Sequence, residues 1–429
     1  MPGPASARYV ELLARTECPA LTTRRARRAE RSGAPHDPIV WVEAQGANVV
    51  DADGNVYVDL TSGFGASAIG HRHPRVVAAV RAQSERLLHA LGDLYPSDVK
   101  IDLLARLAEL APWPDARVIL GLGGADAVEA ALKSAMLATG RPGVVAFEGG
   151  YHGLAHGPLS ACGYARAFRD PFAAQLSPHV TFVPWPDADT DGSAALRDVE
   201  AAWPTSAPGA LLVEPIQGRG GVRIPPPGFL AGLAELCASR GTLLVADEIF
   251  VAHGRTGARW QSVADGVLPD LICTGKALGG GLPVSACIGR AEVMAAWGDP
   301  EGAAIHTGTF FGHPLGCAAA LAALDVIDDE GLIARAASVG AAFSGSLRAR
   351  IERHAAVREV RGAGLAIGVV LDRGDRTLAT VRALLERGWL VLPAGCDAEV
   401  LQIVPPLNVE PALLEAFATT LEDVLAEAT

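Results

Sequence analysis

The chain has 429 residues, half of them apolar, and a net charge of −12 from 36 basic and 48 acidic side chains. That length exceeds what one compact core usually holds, and the acidic balance disfavours a nucleic-acid partner. No apolar run approaches the roughly 20 residues of a membrane span, no secretory pattern opens the chain, and the seven cysteines form no C-x-x-C pair, so a soluble cytoplasmic protein with reduced, mostly buried thiols is expected.

The opening segment contains an arginine run, "RRARRAE" at 24–30, and reads as peripheral; no role follows from it. Next, "WVEAQGANVVDADGNVYVDLTSG" alternates apolar and polar residues around the turn pair Asp53-Gly54, which predicts a small antiparallel element. From 116 to 290, apolar runs rich in Val, Ile and Leu alternate with helical patterns: "ARVILGL", "GVVAFEGG", "GALLVEP", "TLLVADE" and "DLICTGK". Strands buried on both faces and separated by helices predict an α/β fold with a mostly parallel central sheet. Residues 318–429 alternate long Ala/Leu-rich helices with short strands, "VREVRGAGLAIGVVL" and "VLQIVPPLNV" among them. The expected organisation is a large domain at 81–317, with segments 1–80 and 318–429 joining into a smaller α+β domain.

In parallel sheets the functional groups gather at the carboxyl ends of strands, and here each central strand ends on chemistry. "TLLVADE" ends on Asp247 and Glu248, "ALLVEP" reaches Glu214, and "LICTGK" reaches Lys276. "GLGGAD" precedes a helix whose apolar positions Val128, Ala131, Leu132 and Ala135 share one face; free amides at such a helix start suit a phosphate. The glycines also fit a plain tight turn, since they match neither the dinucleotide fingerprint nor the Walker pattern. Asp247 at the end of an apolar strand needs a partner or a raised pKa, unless it is a structural acceptor or helix cap. Lys276 has no acid beside it in sequence. It is either a side chain reaching water or a desolvated amine of lowered pKa, and the glycines that follow favour the close approach of a ligand. Anion cradle, buried aspartate and desolvated lysine together match pyridoxal 5′-phosphate (PLP).

The chain resembles the class III PLP-dependent aminotransferases, which have the fold type I architecture. The resemblance runs through "DADGNVYVDLTSGFGASAIGHRHPRV", "AFEGGYHG", "LLVEPIQGRGGV", "LLVADEI", "HGRTGARW", "PDLICTGKALGGGLP", "TFFGHPLGCAAALA" and "VPPL". It implies that Lys276 forms the Schiff base and later moves a proton, and that Asp247 faces the pyridine nitrogen. It implies further that Gly124 and Ala125 hold the phosphate, that Tyr151 stacks on the ring with His152 beside it, and that Glu214 supports the site from below. Thr309 matches a threonine that reaches the phosphate from the neighbouring subunit, which implies a homodimer with shared active sites.

Four departures from the family pattern bear on the site. The phosphate turn is Gly123-Gly124-Ala125-Asp126, without the usual hydroxyls, so backbone amides must do more. Phe250 stands where a glutamine often contacts the phenolic oxygen of the ring. Gln402 replaces an arginine that pairs with the α-carboxylate of glutamate in other members, and Arg219 replaces a glutamate that holds that arginine in reserve. Either Arg219 supplies the carboxylate clamp, or the principal substrate lacks an α-carboxylate. The second alternative, with Phe64 and Phe250 near the pocket, leads us to expect a transaminase moving an amino group from a small-molecule donor, an amine or ω-amino compound, to a carbonyl acceptor. Competing expectations are an aminomutase resembling glutamate-1-semialdehyde aminomutase, a related decarboxylase, and a non-catalytic binding module of the same fold; no metal site is expected.

Overall fold

The computed structural model describes residues 3–298 and 303–427. Two helices open the chain, α1 (Pro4–Thr16) and α2 (Pro19–Ser32), each with proline in its first turn, where a missing N–H costs nothing. The alternating stretch that follows forms an antiparallel meander, β1 (Trp41–Gln45), β2 (Asn48–Asp51) and β3 (Val56–Asp59). Its Asp53 turn has a second duty. The Asp53 carboxylate accepts the N–H groups of Ala5 and Ser6 at 2.7 and 3.0 Å, which caps α1 and ties the chain start to the meander.

The central region supplies β4 (Arg117–Gly121), β5 (Val144–Phe147), β6 (Val180–Val183), β7 (Ala210–Val213), β8 (Leu243–Asp247), β9 (Leu271–Thr274) and β10 (Ser285–Gly289). They form one seven-stranded sheet in the order β4-β10-β9-β8-β7-β5-β6. Every pairing from β9 to β6 is parallel, and β10 alone runs against its neighbours, so the expected mostly parallel sheet is present. Alternate residues of one strand serve opposite faces: Leu211 and Val213 join one apolar cluster, Ala210 and Leu212 another. Burial on both faces explains why these strands read as unbroken apolar runs.

After the sheet come β11 (Val357–Ala363), β12 (Ala366–Leu371), β13 (Trp389–Leu390), β14 (Leu392–Ala394) and β15 (Val400–Ile403). Four of them make an antiparallel sheet, β11-β12-β15-β14, while β13 pairs in parallel with β3 of the meander. Leu60 and Ile69 share a core with Leu401, Leu414 and Phe417, so the two ends of the chain pack together. The expected boundaries at 80–81 and 317–318 fall inside the helices Pro74–Arg86 and Pro314–Asp329. The second of these helices has two apolar faces. Cys317, Ala320 and Leu324 pack with the central region, and Ala319, Ala323 and Val326 pack with the chain ends, so it joins the two regions.

The helix Leu332–Ile351 lies directly on the β11–β12 hairpin tip. A Cβ on Gly340 would stand 2.0 Å from the Gly364 carbonyl oxygen, and Gly364 itself has φ +53° with the Thr256–Gly257 backbone against it. Alanine in a helix interior normally gains up to about 1 kcal/mol over glycine. Here the backbone clash wins. We expect Gly340→Ala to lose about 1–3 kcal/mol of unfolding free energy in urea titration; an unchanged or raised midpoint would show that this contact is loose.

Candidate active site

β7, β8 and β9 are adjacent and parallel, with Val213 opposite Ala246 and Asp247 opposite Cys273. Glu214, Asp247 and Lys276 therefore leave neighbouring strands at one edge. β4 ends at the same edge, since Gly121 pairs with Ser285 at the start of β10. Asp247 is 3% exposed. Its Oδ1 accepts the Ile249 N–H at 3.1 Å, and its Oδ2 accepts from His152 Nδ1 at 2.7 Å. That contact fixes the His152 ring and leaves its buried Nε2 without a partner among the described residues. Burial opposes charge on His152, but the hydrogen bond and charge of Asp247, with help from Glu214, outweigh it and raise the pKa.

Glu214 is buried as well, and its two oxygens hold two loops: Oε1 accepts the Tyr151 N–H at 2.8 Å and Oε2 the Gly218 N–H at 2.9 Å. Desolvation, against the pull of His152 and with the push of Asp247, raises its pKa to about 7. Lys276 has φ +45°, a strained position for a residue with a Cβ, at the head of a single 3-10 turn, Lys276–Gly279. Desolvation lowers its pKa despite the nearby carboxylates of Asp247 and Glu214. Among the described residues its ammonium has neither hydrogen bond nor ion pair, and its Nζ lies 5.1 Å from the centre of the Phe250 ring.

Lys276 opens into a cavity of about 430 Å³, lined also by Thr61, Phe64, Tyr151, Arg219, Phe250, Gln402 and the β14 residues Leu392–Ala394. Phe64 sits in a turn where Ser62, Gly63, Phe64 and Gly65 all have positive φ, held by the Ser62 hydroxyl donating to the Val404 carbonyl at 2.6 Å. The Arg219 guanidinium lies over Tyr151 at 4.7 Å and Tyr164 at 5.0 Å. Gln402, on β15, donates its amide to the Gly218 carbonyl at 2.9 Å. At the end of β4, the Asp126 carboxylate accepts the N–H groups of Leu122 and Gly123, and the helix Gly124–Thr139 begins, so the amides of Gly124 and Ala125 have no intrahelical partner.

Thr309, expected to serve the site of a neighbouring subunit, is exposed and borders a cleft with His89, Lys100 and Phe311, outside the Lys276 cavity of its own chain. One placement departs from the sequence reading. The "RRARRAE" segment is not peripheral, because α2 packs on the helix Gly374–Glu386 and turns Arg24 and Arg28 into the wall of the Lys276 cavity. The i, i+4 spacing already put those two on one helix face, but nothing local said which way the face would turn.

Glu214 and His152 both bind protons more tightly in the folded state. Above the ordinary carboxylate range the unfolded chain has released the Glu214 proton while the folded chain keeps it, so stability falls as pH rises toward about 7; the His152 contribution, present below its ordinary pKa, is lost in the same direction. For the cofactor-free protein we expect Glu214 to contribute a loss of unfolding free energy on the order of 1–3 kcal/mol between about pH 5 and about pH 8, with buried Glu248, also raised to about 7, acting in the same direction and buried His253, lowered to about 3, acting against both. Glu214→Gln should be less stable throughout, since one of the two N–H groups loses its acceptor, yet flatter with pH. Parallel profiles for the two proteins would show that Glu214 is ionised in this window.

Residues 30–425 match the family described as aminotransferase class-III. An acetylornithine aminotransferase from Methanopyrus kandleri is 39% identical over 390 residues, 90% of this chain and 94% of the relative, and one from Corynebacterium efficiens is 38% identical over 396 residues, 91% and 93% of the two. Among solved structures, a PLP-bound amine transaminase from an uncultivated Pseudomonas species superposes with a TM-score of 0.84 at 30% identity, covering 92% of this chain and 96% of its own. The ornithine aminotransferase of Toxoplasma gondii ME49 does so at 0.81 and 33%, covering 91% of each. With nearly its whole length matched, the chain belongs to the class III PLP-dependent aminotransferases.

Proposed function

We propose that this aminotransferase takes the terminal amino group of a donor whose carboxylate lies away from the reacting nitrogen, and passes it to a separate carbonyl acceptor. The observation that carries the reading is Gln402. At this position on β15 the chain offers a neutral amide, already donating to the Gly218 carbonyl, so an α-carboxylate beside the reacting carbon has no counter-ion there. Arg219 stands over the aromatic rings of Tyr151 and Tyr164 and is left to serve a more distant carboxylate or the acceptor. The acetylornithine and ornithine aminotransferases among the relatives bear names that fit such substrates.

The residues present fit PLP: an unpaired lysine, a buried aspartate with one oxygen already engaged by His152, and free amides at a helix start. Lys276 would hold the aldehyde, Asp247 the ring nitrogen, Gly124 and Ala125 the phosphate, and Tyr151 and Phe250 would border the ring. When bound, PLP supplies a carbonyl that condenses with amines and a ring that withdraws electrons. The protein supplies proton traffic and position. Lys276 Nζ, its pKa lowered by burial, would carry the proton from the substrate carbon to the cofactor side. Asp247 presents its carboxylate at the floor, and His152, through Nδ1, keeps that carboxylate in place. Phe64 and Phe250 give the substrate path an apolar lining.

A second copy of the chain fits the exposed position of Thr309. Phe310 and Ile305 beside it are exposed, and the His89 ring lies 5.3 Å from Phe310, which joins this segment to exposed Leu88, Leu91, Leu94 and Tyr95. Such a patch needs a partner, and a homodimer would carry Thr309 to the neighbouring site.

Four sets of measurements test these points. In the first half-reaction, followed by loss of the aldehyde absorbance, 4-aminobutyrate and ornithine should convert the cofactor at least about tenfold faster than alanine, a gap of about 1.4 kcal/mol; reaction confined to α-amines would overturn the terminal-amine reading. Net transfer from donor to a separate acceptor distinguishes it from a mutase. Lys276→Ala should cut turnover by about a thousandfold or more, and borohydride reduction should then leave no cofactor mass on the peptide. Light scattering should give twice the 44.3 kDa chain mass; a monomer retaining full activity would remove Thr309 from the site.

A further inference from the structure

The cavity wall contributed by α2 adds something to the proposed reaction. Arg24 and Arg28 lie four residues apart on one helix face and line the cavity together with Arg219. Two other arginines of α2 have partners, Arg25 pairing with Glu17 at 3.5 Å and Arg31 donating to the Asp397 carbonyl at 3.2 Å, while Arg27 lies outside the cavity lining. Among the described residues, Arg24, Arg28 and Arg219 form no ion pair, and the buried Arg219 Nε has no hydrogen-bond partner. The lining includes these three guanidinium groups and Lys276 but no carboxylate. Burial, together with repulsion from Arg24 and Arg219, pushes Arg28 down to about 10. Three like charges facing one cavity, one of them half-buried, is a costly arrangement unless an anion answers it.

We infer that Arg24, Arg28 and Arg219 form a clamp that selects amino substrates whose end remote from the reacting nitrogen carries two negative charges, as a pair of carboxylates or a phosphate-type group. This rests on the terminal-amine reading above and narrows it. A single remote carboxylate would satisfy one guanidinium in a bidentate pair and leave the others unanswered. The phosphate of PLP does not answer them, because its expected cradle is at the amides of Gly124 and Ala125, and none of the three arginines belongs to that turn.

The test uses the holoenzyme and a length-matched series: pentylamine, 5-aminopentanoate, (4-aminobutyl)malonate and 5-aminopentyl phosphate. We expect kcat/KM in the first half-reaction to rise about tenfold from the neutral amine to the monoanion, and again to the better dianion, with the gain shrinking as salt is added. The two dianions separate a dicarboxylate from a phosphate preference. The Arg24→Gln/Arg28→Gln variant should bring the ratio of dianion to monoanion to within about twofold, while Arg27→Gln, on the same helix but outside the lining, should keep it. Equal rates for monoanion and dianion in the unaltered enzyme, or a ratio unmoved in the double variant, would overturn the clamp. Calorimetry with the non-reacting pair butylmalonate and pentanoate reads the clamp without catalysis, and butylmalonate should bind about tenfold more tightly. If none of the amines converts the cofactor but this binding margin holds and vanishes in the double variant, the terminal-amine reading fails and the clamp stands.

Discussion

A carboxylate taken out of water has to be met by positive charge or hydrogen bonds, and Asp247 sets that demand at the centre of this chain. It leaves the end of β8 with parallel strands on both sides, so its neighbours are dictated by the sheet: Glu214 from β7 and Lys276 beyond β9. His152 meets the demand on one oxygen and the Ile249 amide on the other. The histidine comes from the loop after β5, which Glu214 secures through the Tyr151 N–H. One buried charge thereby recruits a cation, a second acid and two loops, and each of these also faces the cavity or supports a residue that does. Among the described residues the lysine is the member left unpaired.

Most of this floor is legible in the sequence because the information is local. "TLLVADE", "ALLVEP" and "LICTGK" are unbroken apolar runs that stop on a charged residue, and a parallel sheet aligns such stops at one edge. The motif resemblance went further, since Phe64, Arg219 and Gln402, far apart in the chain, line one cavity with Lys276. What could not be read depended on long-range packing. The direction of the Arg24–Arg28 face is set by α2 resting on the helix Gly374–Glu386, some 350 residues away in sequence. The partner of His152 was undecided for a similar reason, because its 2.7 Å contact spans 95 residues of chain.

The double-faced helix Pro314–Asp329 and the Gly340–Gly364 contact pack regions distinguishable in sequence against one another. Arg255 reinforces the junction: it is buried, with Nη1 donating to the carbonyls of Leu365 and Pro405 at 3.1 and 2.5 Å, and burial lowers its pKa to about 9. A cavity whose walls come from 24–28, 61–64 and 392–404 keeps its shape only if those segments are fastened to the strands that carry Asp247 and Lys276.

That division of the walls has an evolutionary consequence. Asp247 ends a strand sealed on both faces and Lys276 closely follows another, where almost any change is punished, whereas much of the remaining cavity wall comes from a surface helix, a left-handed turn and an edge strand near the chain ends. Mutation can therefore explore new diets on α2 while the inherited chemistry stays intact, and descendants of one catalyst would be expected to differ first in their opening forty residues.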